Sequence, residues 1–388
     1  MLHLIPGVII MRHTLLPLVL LQLGLMMFSP VCQAEDYELG QGWYAGDYYF
    51  SGYANIEVVD SFNAPAELVL DDLSLFAGGH ISPWANPFME VEFSKHTLIQ
   101  QGGNPAHGEV IVERFYNDST LSEHDTLRVG KILTPLGDWN LVHAAPLTPI
   151  VTRPYTAARG FHAYASGVGW LHDSGDGVTP DFHLYWQPDN EWFKRPASHA
   201  PRNFHNVLGG HINMPLGLMD KIGASFQHGQ LMETGEMFTL YGVNANKSFG
   251  KLRLESEAIT SRFSGAVLPG ATPRVHDTES GIFVLADYSI TPQWHGILGW
   301  ERYQDHTVNL PSRSTLVAVA YRPSAPIVWK LEYLRRVCRR PLQPFVAAGK
   351  PHSHCCSDAR PVADFRDFMG FAWSSRGTIG YRVFPSTL

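Results

Sequence analysis

The sequence predicts an all-β protein, an antiparallel transmembrane β-barrel of about 16 strands within a range of about 14–18. Three observations lead to this fold class: a secretory signal at the N-terminus, many short segments in which apolar and polar residues alternate, and no long apolar segment after the signal. Alternation with a period of two is typical of strands that have one apolar face. The segments are about as long as a tilted membrane strand, which needs about 9–11 residues.

The composition agrees with a β-rich protein. Only 17% of the 388 residues are charged, 12% are aromatic and 35 are glycine, whereas an average chain has about 25% charged residues. The net charge of −7 gives no indication of the basic surface that a nucleic-acid partner would need. Four cysteines are too few for a disulfide framework in a chain of this length. The composition therefore excludes a disordered chain and disfavours a long helical protein.

Residues 1–34 are predicted to be a signal peptide. The apolar run Leu15–Phe28 precedes small residues and a predicted cleavage after Ala34. This run is shorter than the roughly 20 residues that span a membrane as a helix. Translation from Met1 and from Met11 both remain open. The mature chain is therefore expected to lie beyond the inner membrane.

Fifteen segments of the mature chain have the strand pattern, and turn-forming clusters separate them. In order, they are 53–58, 68–77, 89–94, 109–116, 125–132, 162–171, 181–186, 205–214, 222–227, 237–245, 252–257, 280–288, 293–302, 314–322 and 329–333. Single-chain bacterial barrels have an even number of strands, so a closing strand is expected at 377–384, with 43–50 as the alternative. We therefore assign 35–51 as an N-terminal segment or first strand, and 52–334 as the barrel.

The polar face of the predicted strands carries regularly spaced charges, as expected for a water-filled lumen. They are Asp72, Glu90, Glu92, Arg128, Arg253, Glu255, Glu257, Lys330 and Glu332. Aromatic residues near strand ends match the girdles of membrane barrels: Trp84, Phe88, Trp170, Trp186, Trp294, Trp300 and Tyr321. The alternative is a secreted or periplasmic soluble β-protein that binds a ligand, in which the polar face meets bulk water.

Several short motifs follow one another in a fixed order in the first half of the chain. They are Leu70–Phe76, Pro83-Trp84, Phe88–Phe93, Leu127–Lys131, Thr134–Asn140, Ala145–Leu147 and Thr152–Pro154. This succession resembles Gram-negative porin-like outer-membrane proteins, broadly the phosphate-selective porin superfamily. The resemblance implies passive diffusion of small polar solutes across the bacterial outer membrane. It does not imply phosphate selectivity, because a phosphate filter needs a ring of Lys or Arg and the sequence has no Lys-rich cluster.

The expected partners follow from this assignment. They are outer-membrane lipid, lipopolysaccharide and small solutes, without nucleic acid. A homotrimer and a monomer both remain open, because a lipid-facing strand resembles a subunit-facing one. No cofactor and no enzymatic chemistry are expected, since neither a Gly-x-Ser-x-Gly elbow nor a His-Glu-x-x-His motif occurs. A plugged structural or adhesive barrel is the alternative within the barrel class.

The connection 133–160 is the predicted constriction. Loops longer than about 12–15 residues are uncommon in compact proteins and are often functional, and a wide barrel has room for one inside. The candidate pore-lining residues are Asp138, Trp139, His143, Arg153 and Arg159 on the loop, with Glu90 and Glu92 on the wall. In the alternative interpretation, Arg153 and Arg159 pair with Glu90 and Glu92 and hold the loop in place.

Residues 335–388 form an atypical tail rich in arginine and cysteine. They hold 9 basic and 3 acidic residues, against 20 basic and 33 acidic in 1–334, and three of the four cysteines. The weak candidates for metal ligands are His352, His354, Cys355 and Cys356. Adjacent cysteines suit one tetrahedral site poorly, so no metal is predicted. A shifted reading frame near residue 335 is one explanation of the tail, and a basic segment that binds metal or lipopolysaccharide is the other.

Overall fold

The computed structural model describes residues 42–61, 64–102, 107–142, 144–193, 202–217, 220–271, 274–307, 309–324, 327–338 and 362–371. The predicted signal peptide lies outside these ranges. The strands are β1 Trp43–Ala45, β2 Tyr48–Ser61, β3 Ala64–Gly79, β4 Asn86–Gln100, β5 Glu109–Thr120, β6 Asp125–Leu133, β7 Tyr164–His172, β8 Asp181–Gln187, β9 Phe204–Pro215, β10 Lys221–Leu231, β11 Met237–Phe249, β12 Leu252–Ser264, β13 Thr278–Ser289, β14 Trp294–Gln304, β15 Ser312–Ser324, β16 Ile327–Cys338 and β17 Val362–Phe371. One short helix, α1, spans Tyr155–Gly160.

All fifteen predicted segments are strands, β2 to β16, and every neighbouring pair among them is antiparallel. Strands that follow one another in the chain are neighbours in the sheet, which is the arrangement of an up-and-down barrel. The predicted fold class is confirmed. Among the described residues, no helix is long and apolar enough to cross a membrane.

The barrel closes through β17, which pairs with β16 on one side and with β2 on the other. Strands β2 to β17 therefore form a closed ring of 16 strands. On the same edge of β2, β17 covers Ala54–Ser61 and β1 covers Tyr48–Phe50. This edge must be covered because an unpaired backbone edge in lipid costs several kcal/mol per polar group, on the order of 2–7.

The ends of the chain differ from the prediction in three respects. The closing strand is β17, while 377–384 lies outside the described residues. Residues 43–50 are not one strand, because a turn at Gly46 separates β1 from β2. Gly46 has a φ of 63°, a left-handed conformation that an alternation pattern does not reveal. Residues 335–338, assigned to the tail, continue β16, and the reading-frame hypothesis stays a prediction.

The two ends of the barrel differ in the lengths of their connections. The four longest connections, 134–163, 188–203, 265–277 and 339–361, all leave the same end, which we call the long-loop end. At the opposite, short-turn end, every connection has two to eight residues. Outer-membrane barrels show the same asymmetry, with short periplasmic turns and longer extracellular loops.

The outer face of the barrel is apolar between its ends. On three neighbouring strands, Leu298, Val317 and Leu331 are 60%, 53% and 42% exposed. Leu298 lies directly opposite Val317 in the ladder, so the exposed apolar side chains form a continuous band. A closed barrel with such a band satisfies its backbone internally and suits a lipid environment.

The inner face carries the charges that the alternation predicts. The buried or half-buried positions on β4, β12 and β16 include Glu90, Glu92, Glu257, Lys330 and Glu332. The prediction for Phe88 as a girdle residue is wrong, because its ring lies 4.7 Å from the Arg114 guanidinium and stacks with Tyr116. A bulky aromatic near a strand end thus does not reveal which face it occupies.

An arginine in the apolar band should destabilise the barrel according to its depth. We expect Leu298→Arg to lower the free energy of unfolding by about 2–4 kcal/mol, and the outward Thr278→Arg at the long-loop end of β13 by only about 0–1 kcal/mol. Chemical unfolding in liposomes measures both values. Equal losses in the two variants would contradict the placement of this band in the membrane.

Candidate pore constriction

The connection between β6 and β7 enters the barrel and lies against its inner wall. We call residues 134–163 the inner loop. Its Leu136, Ile150 and Phe161 are almost fully buried in one cluster with inward apolar side chains of β6 to β16. This contact removes apolar loop surface from water and holds the loop to one side of the wall.

A buried glutamate on β12 binds the first turn of the inner loop. The Glu257 carboxylate accepts hydrogen bonds from the backbone N–H groups of Asp138 at 2.5 Å and Trp139 at 2.9 Å. The neighbouring Gly137 has a φ of 67°, and a Cβ there would lie 2.8 Å from both Glu257 and Phe161. The loop therefore needs glycine at this position to approach the carboxylate.

Two further wall glutamates bind the returning limb of the inner loop. Glu332 on β16 accepts from the N–H of Val151 at 2.8 Å and of Thr152 at 3.1 Å. Glu301 on β14 accepts from the backbone N–H of Thr156 at 2.7 Å and from its hydroxyl at 3.0 Å. The three glutamates lie on alternate strands, so the wall offers acceptors along the whole path of the loop.

Basic residues of the wall bind the carbonyl oxygens of the same loop. Lys330 on β16 donates to the Ala145 carbonyl at 2.6 Å, and Arg322 on β15 donates to the Pro146 carbonyl at 2.7 Å. Donors and acceptors of the loop backbone thus both find charged partners on β12 to β16. Such charge-assisted hydrogen bonds each contribute about 1.5–3 kcal/mol.

Asp138 is directed into the wall and does not stand free in the lumen. Its carboxylate accepts from the amides of Asn244 at 2.9 Å and Asn246 at 2.8 Å, and it pairs with Lys221 at 2.7 Å. Trp139, also predicted to line the pore, packs edge-on against Phe283 with ring centroids 5.7 Å apart. Both predicted pore residues therefore anchor the loop, and His143 lies outside the described residues.

Arg153 lies between two walls of the barrel. Its guanidinium donates to the Asn140 side chain at 3.0 Å. Burial lowers the pKa of Arg153, while Tyr164 and the carboxylates of Glu257 on β12 and Glu113 on β5 act in the opposite direction. The guanidinium therefore lies in the field of carboxylates on both β5 and β12.

Arg159 belongs to a separate contact at the end of α1. Its guanidinium lies 3.9 Å from Asp305 and 4.4 Å from the ring centroid of Tyr155. Arg336 of β16 lies 3.5 Å from the centroid of the same ring. The sequence predicted Arg153 and Arg159 as a pair, but the structure places them in different surroundings.

The opposite wall, β3 to β5, carries the other predicted residues. Glu90 pairs with Arg114, so the predicted alternative in which Glu90 pairs with a loop arginine is wrong. Glu92 is half-buried beside Asp72 and Glu113. This wall therefore presents more carboxylates than cations to the lumen.

The described residues contain one group of three potential metal ligands, Glu279, Asp305 and His306. Both oxygens of Glu279 accept from Arg202, at 2.7 and 2.6 Å, and one also accepts from His306 at 2.7 Å. An arginine in this position supplies the positive charge that a metal would bring, so the group is an ion-pair network. The metal candidates of the tail lie outside the described residues.

Charged side chains at the short-turn end of the lumen remain accessible to water. Arg128, Lys221 and Arg253 are 24%, 35% and 36% exposed. They stand near the start of their strands on the inner face. The lumen at this end is therefore polar and hydrated, as in barrels that hold a channel.

Sequence reasoning missed the residues that receive the loop. One of them is Ser225, whose hydroxyl accepts from the Gly137 N–H at 2.9 Å, and the others are the asparagine pair on β11. In the sequence, only their inward positions on the strands could have pointed to a contact with the loop. Glu257 and Glu332 were recognised as lumen charges, but their loop partners lie 119 and 181 residues away. No local pattern reports contacts across such distances.

Neither a comparison with protein-family models nor one with curated proteins finds a match. Solved structures are similar. OmpT of Vibrio cholerae, folded in vitro and in its trimer form, has a TM-score of 0.54 at 12% identity, over 85% of this chain and 100% of that one. The anion-selective porin from Comamonas acidovorans has a TM-score of 0.58 at 11% identity, over 84% of this chain and 99% of that one. The outer-membrane channel DcaP of Acinetobacter baumannii has a TM-score of 0.56 at 12% identity, over 86% of this chain and 99% of that one.

At these identities the likeness shows the fold alone, a barrel of the kind found in porins. It agrees with the porin-like resemblance of the sequence. It does not single out the phosphate-selective superfamily, so that part of the expectation is not supported.

Removing the Glu257 carboxylate should release the first turn of the inner loop. We expect Glu257→Ala to lower the free energy of unfolding by about 1–3 kcal/mol, because two buried N–H groups lose their acceptor. Trypsin cleavage after Arg159 in the folded barrel should become faster. Glu257→Gln, which keeps an oxygen acceptor, is the matched control. Identical cleavage rates in the two variants would show that this contact does not hold the loop.

Proposed function

We propose that the chain is a porin-like channel of the bacterial outer membrane, through which small polar solutes diffuse passively. The observation that carries the proposal is an inner loop bound to one side of a 16-stranded barrel whose lumen is charged and hydrated at the short-turn end. The loop contacts described above fall on β6 to β16. The passage then lies between the loop and the wall of β2 to β5. No chemical step is required of the protein.

The fold and the similar solved structures support a location in the bacterial outer membrane. The apolar outer band suits a lipid environment, and the similar structures are outer-membrane proteins. Lipid and lipopolysaccharide are then the surroundings of the barrel. A homotrimer is the proposed assembly, because one similar structure is a trimer form. The long-loop end faces the cell exterior in this arrangement.

A plugged barrel is the second candidate function. Glu90 and Glu113 on the wall opposite the loop are each only 1% exposed, so side chains pack closely against this wall. Single-channel recording of the mature chain in a planar lipid bilayer separates the two functions. Stepwise conductance supports the channel, and inserted barrels without conductance establish the plugged form.

The charges of the passage favour cations. The inner face of β3 and β4 carries the half-buried Asp72 and Glu92, which lie near each other and near the buried Glu113 of β5, while the nearby Arg114 is paired with Glu90. Fixed carboxylates raise the local concentration of cations and lower that of anions. We therefore propose a channel with a modest cation preference and no dedicated phosphate filter.

Neutralising this wall should reduce the cation preference. We expect the double variant Asp72→Asn/Glu92→Gln to lower the potassium-to-chloride permeability ratio by about twofold or more, because two lumen charges no longer attract cations. The reversal potential in a salt gradient measures the ratio. Glu123→Gln, in an exposed turn at the short-turn end, is the control and should leave it unchanged. A double variant with the ratio of the unmodified channel would contradict the acidic-wall proposal.

Removing the charge of Arg153 should change the cation preference in the direction opposite to neutralising the acidic wall. Arg153→Ala removes a cation near Glu113 and Glu257, so we expect a higher potassium-to-chloride ratio and a changed single-channel conductance. Arg159→Ala is the comparison, because Arg159 lies beside Asp305 and its removal should have a smaller effect. Unchanged conductance and selectivity in both variants would show that the inner loop is not the constriction.

A further inference from the structure

Three arginines point outward at the long-loop end of neighbouring strands. Arg302, Arg313 and Arg335 lie on β14, β15 and β16, and all three are exposed. Their orientation follows from their neighbours in the chain, since Glu301 and Ser314 bond to each other and Arg336 donates to Ser314 inside the barrel. The alternate residues must therefore face outward. We call these three residues the outer arginine cluster.

The register brings these charges together. Arg302 lies directly opposite Arg313 in the ladder, which places their Cβ atoms about 4.5–5.5 Å apart. Arg335 is diagonal to Arg313, because it pairs with Thr315. Like charges opposite each other destabilise a sheet. Within the described residues no carboxylate forms an ion pair with any of the three, so none of these residues offsets their repulsion by an ion pair.

The cluster lies at the edge of the lipid-facing band. Toward the middle of the barrel, the next outward residues are Trp300, Thr315 and Tyr333, and Val317 follows Thr315. Trp300, Tyr333 and Val317 are 44%, 43% and 53% exposed. The guanidinium groups at the edge of this band therefore lie at the interface between the membrane hydrocarbon and the lipid headgroups. At the short-turn end, by contrast, the outward Lys247 is paired with Asp220.

We propose that the outer arginine cluster binds the phosphate groups of lipopolysaccharide in the outer leaflet. This inference rests on the proposed outer-membrane location, with the long-loop end outside. Guanidinium groups bind phosphate oxygens bidentately, and two of them side by side match a multiply phosphorylated headgroup better than a single charge does. The bound phosphate would also offset the repulsion between Arg302 and Arg313. The acyl chains would lie on the apolar band beneath.

Binding of purified lipopolysaccharide to the detergent-solubilised barrel tests the proposal. The variant is Arg302→Gln/Arg313→Gln. The matched control is Lys247→Gln/Lys251→Gln, which removes two positive charges from exposed residues at the short-turn end. We expect the affinity of the arginine variant to fall about 30-fold, because each arginine at an anionic lipid surface contributes about fivefold. The control should keep its affinity, and heat-modifiable gel mobility verifies that each variant is folded.

Two further arms identify the ligand chemistry. Dephosphorylated lipopolysaccharide should bind as weakly as the arginine variant binds the intact lipid, and phosphatidylglycerol should bind less tightly than lipopolysaccharide. Equal affinity of the arginine and lysine variants for lipopolysaccharide overturns the site, and equal affinity of the unmodified barrel for phosphatidylglycerol and lipopolysaccharide overturns the assignment to lipopolysaccharide.

If the double arginine variant does not fold, the single variant Arg335→Gln is used, and its affinity for lipopolysaccharide should fall about fivefold. Conductance of the same preparations is recorded separately, so failure of the channel proposal is distinguishable from failure of this one.

Discussion

The carboxylates of Glu257, Glu301 and Glu332 hold the inner loop inside the barrel, and the rest of the lumen depends on this contact. A loop of 30 residues inside a barrel carries backbone donors that no strand can satisfy, because the wall strands already pair with one another. A buried N–H without an acceptor costs about 1–3 kcal/mol. Charged side chains on alternate strands supply the acceptors, and Lys330 and Arg322 supply donors for the loop carbonyls.

Binding on one side has a consequence for the opposite wall. Because the loop lies against β6 to β16, the carboxylates on β3 to β5 are left to define the other border of the proposed passage. The charges that hold the loop are occupied by it, so they contribute less to the field that an ion meets. In the proposed channel, selectivity depends on the few charged groups that the loop leaves accessible. An acidic barrel could thus hold its loop tightly and still present a charged passage.

The strands and the identity of their faces were predictable from local sequence. All fifteen predicted strands exist, and residues such as Glu257 and Lys330 face inward as the alternation requires. Phe88 was misplaced because its burial depends on Arg114 and Tyr116 of the neighbouring strand. The closing strand was misplaced because pairing with β2 joins residues about 300 positions apart along the chain. The outer arginines were not recognised as a group, since only the register of β14 to β16 brings them together.

The sequence by itself determined a closed β-barrel, because a period of two, regular turns and a polar inner face leave few other arrangements that satisfy the backbone in lipid. It also determined which connection was long enough to enter the lumen. Only the tertiary structure decided where that loop binds and which charges it uses. The physical reason is that a strand's alternation is a local property, whereas a hydrogen bond between the Asp138 N–H and Glu257 depends on barrel curvature and on the register of five intervening strands.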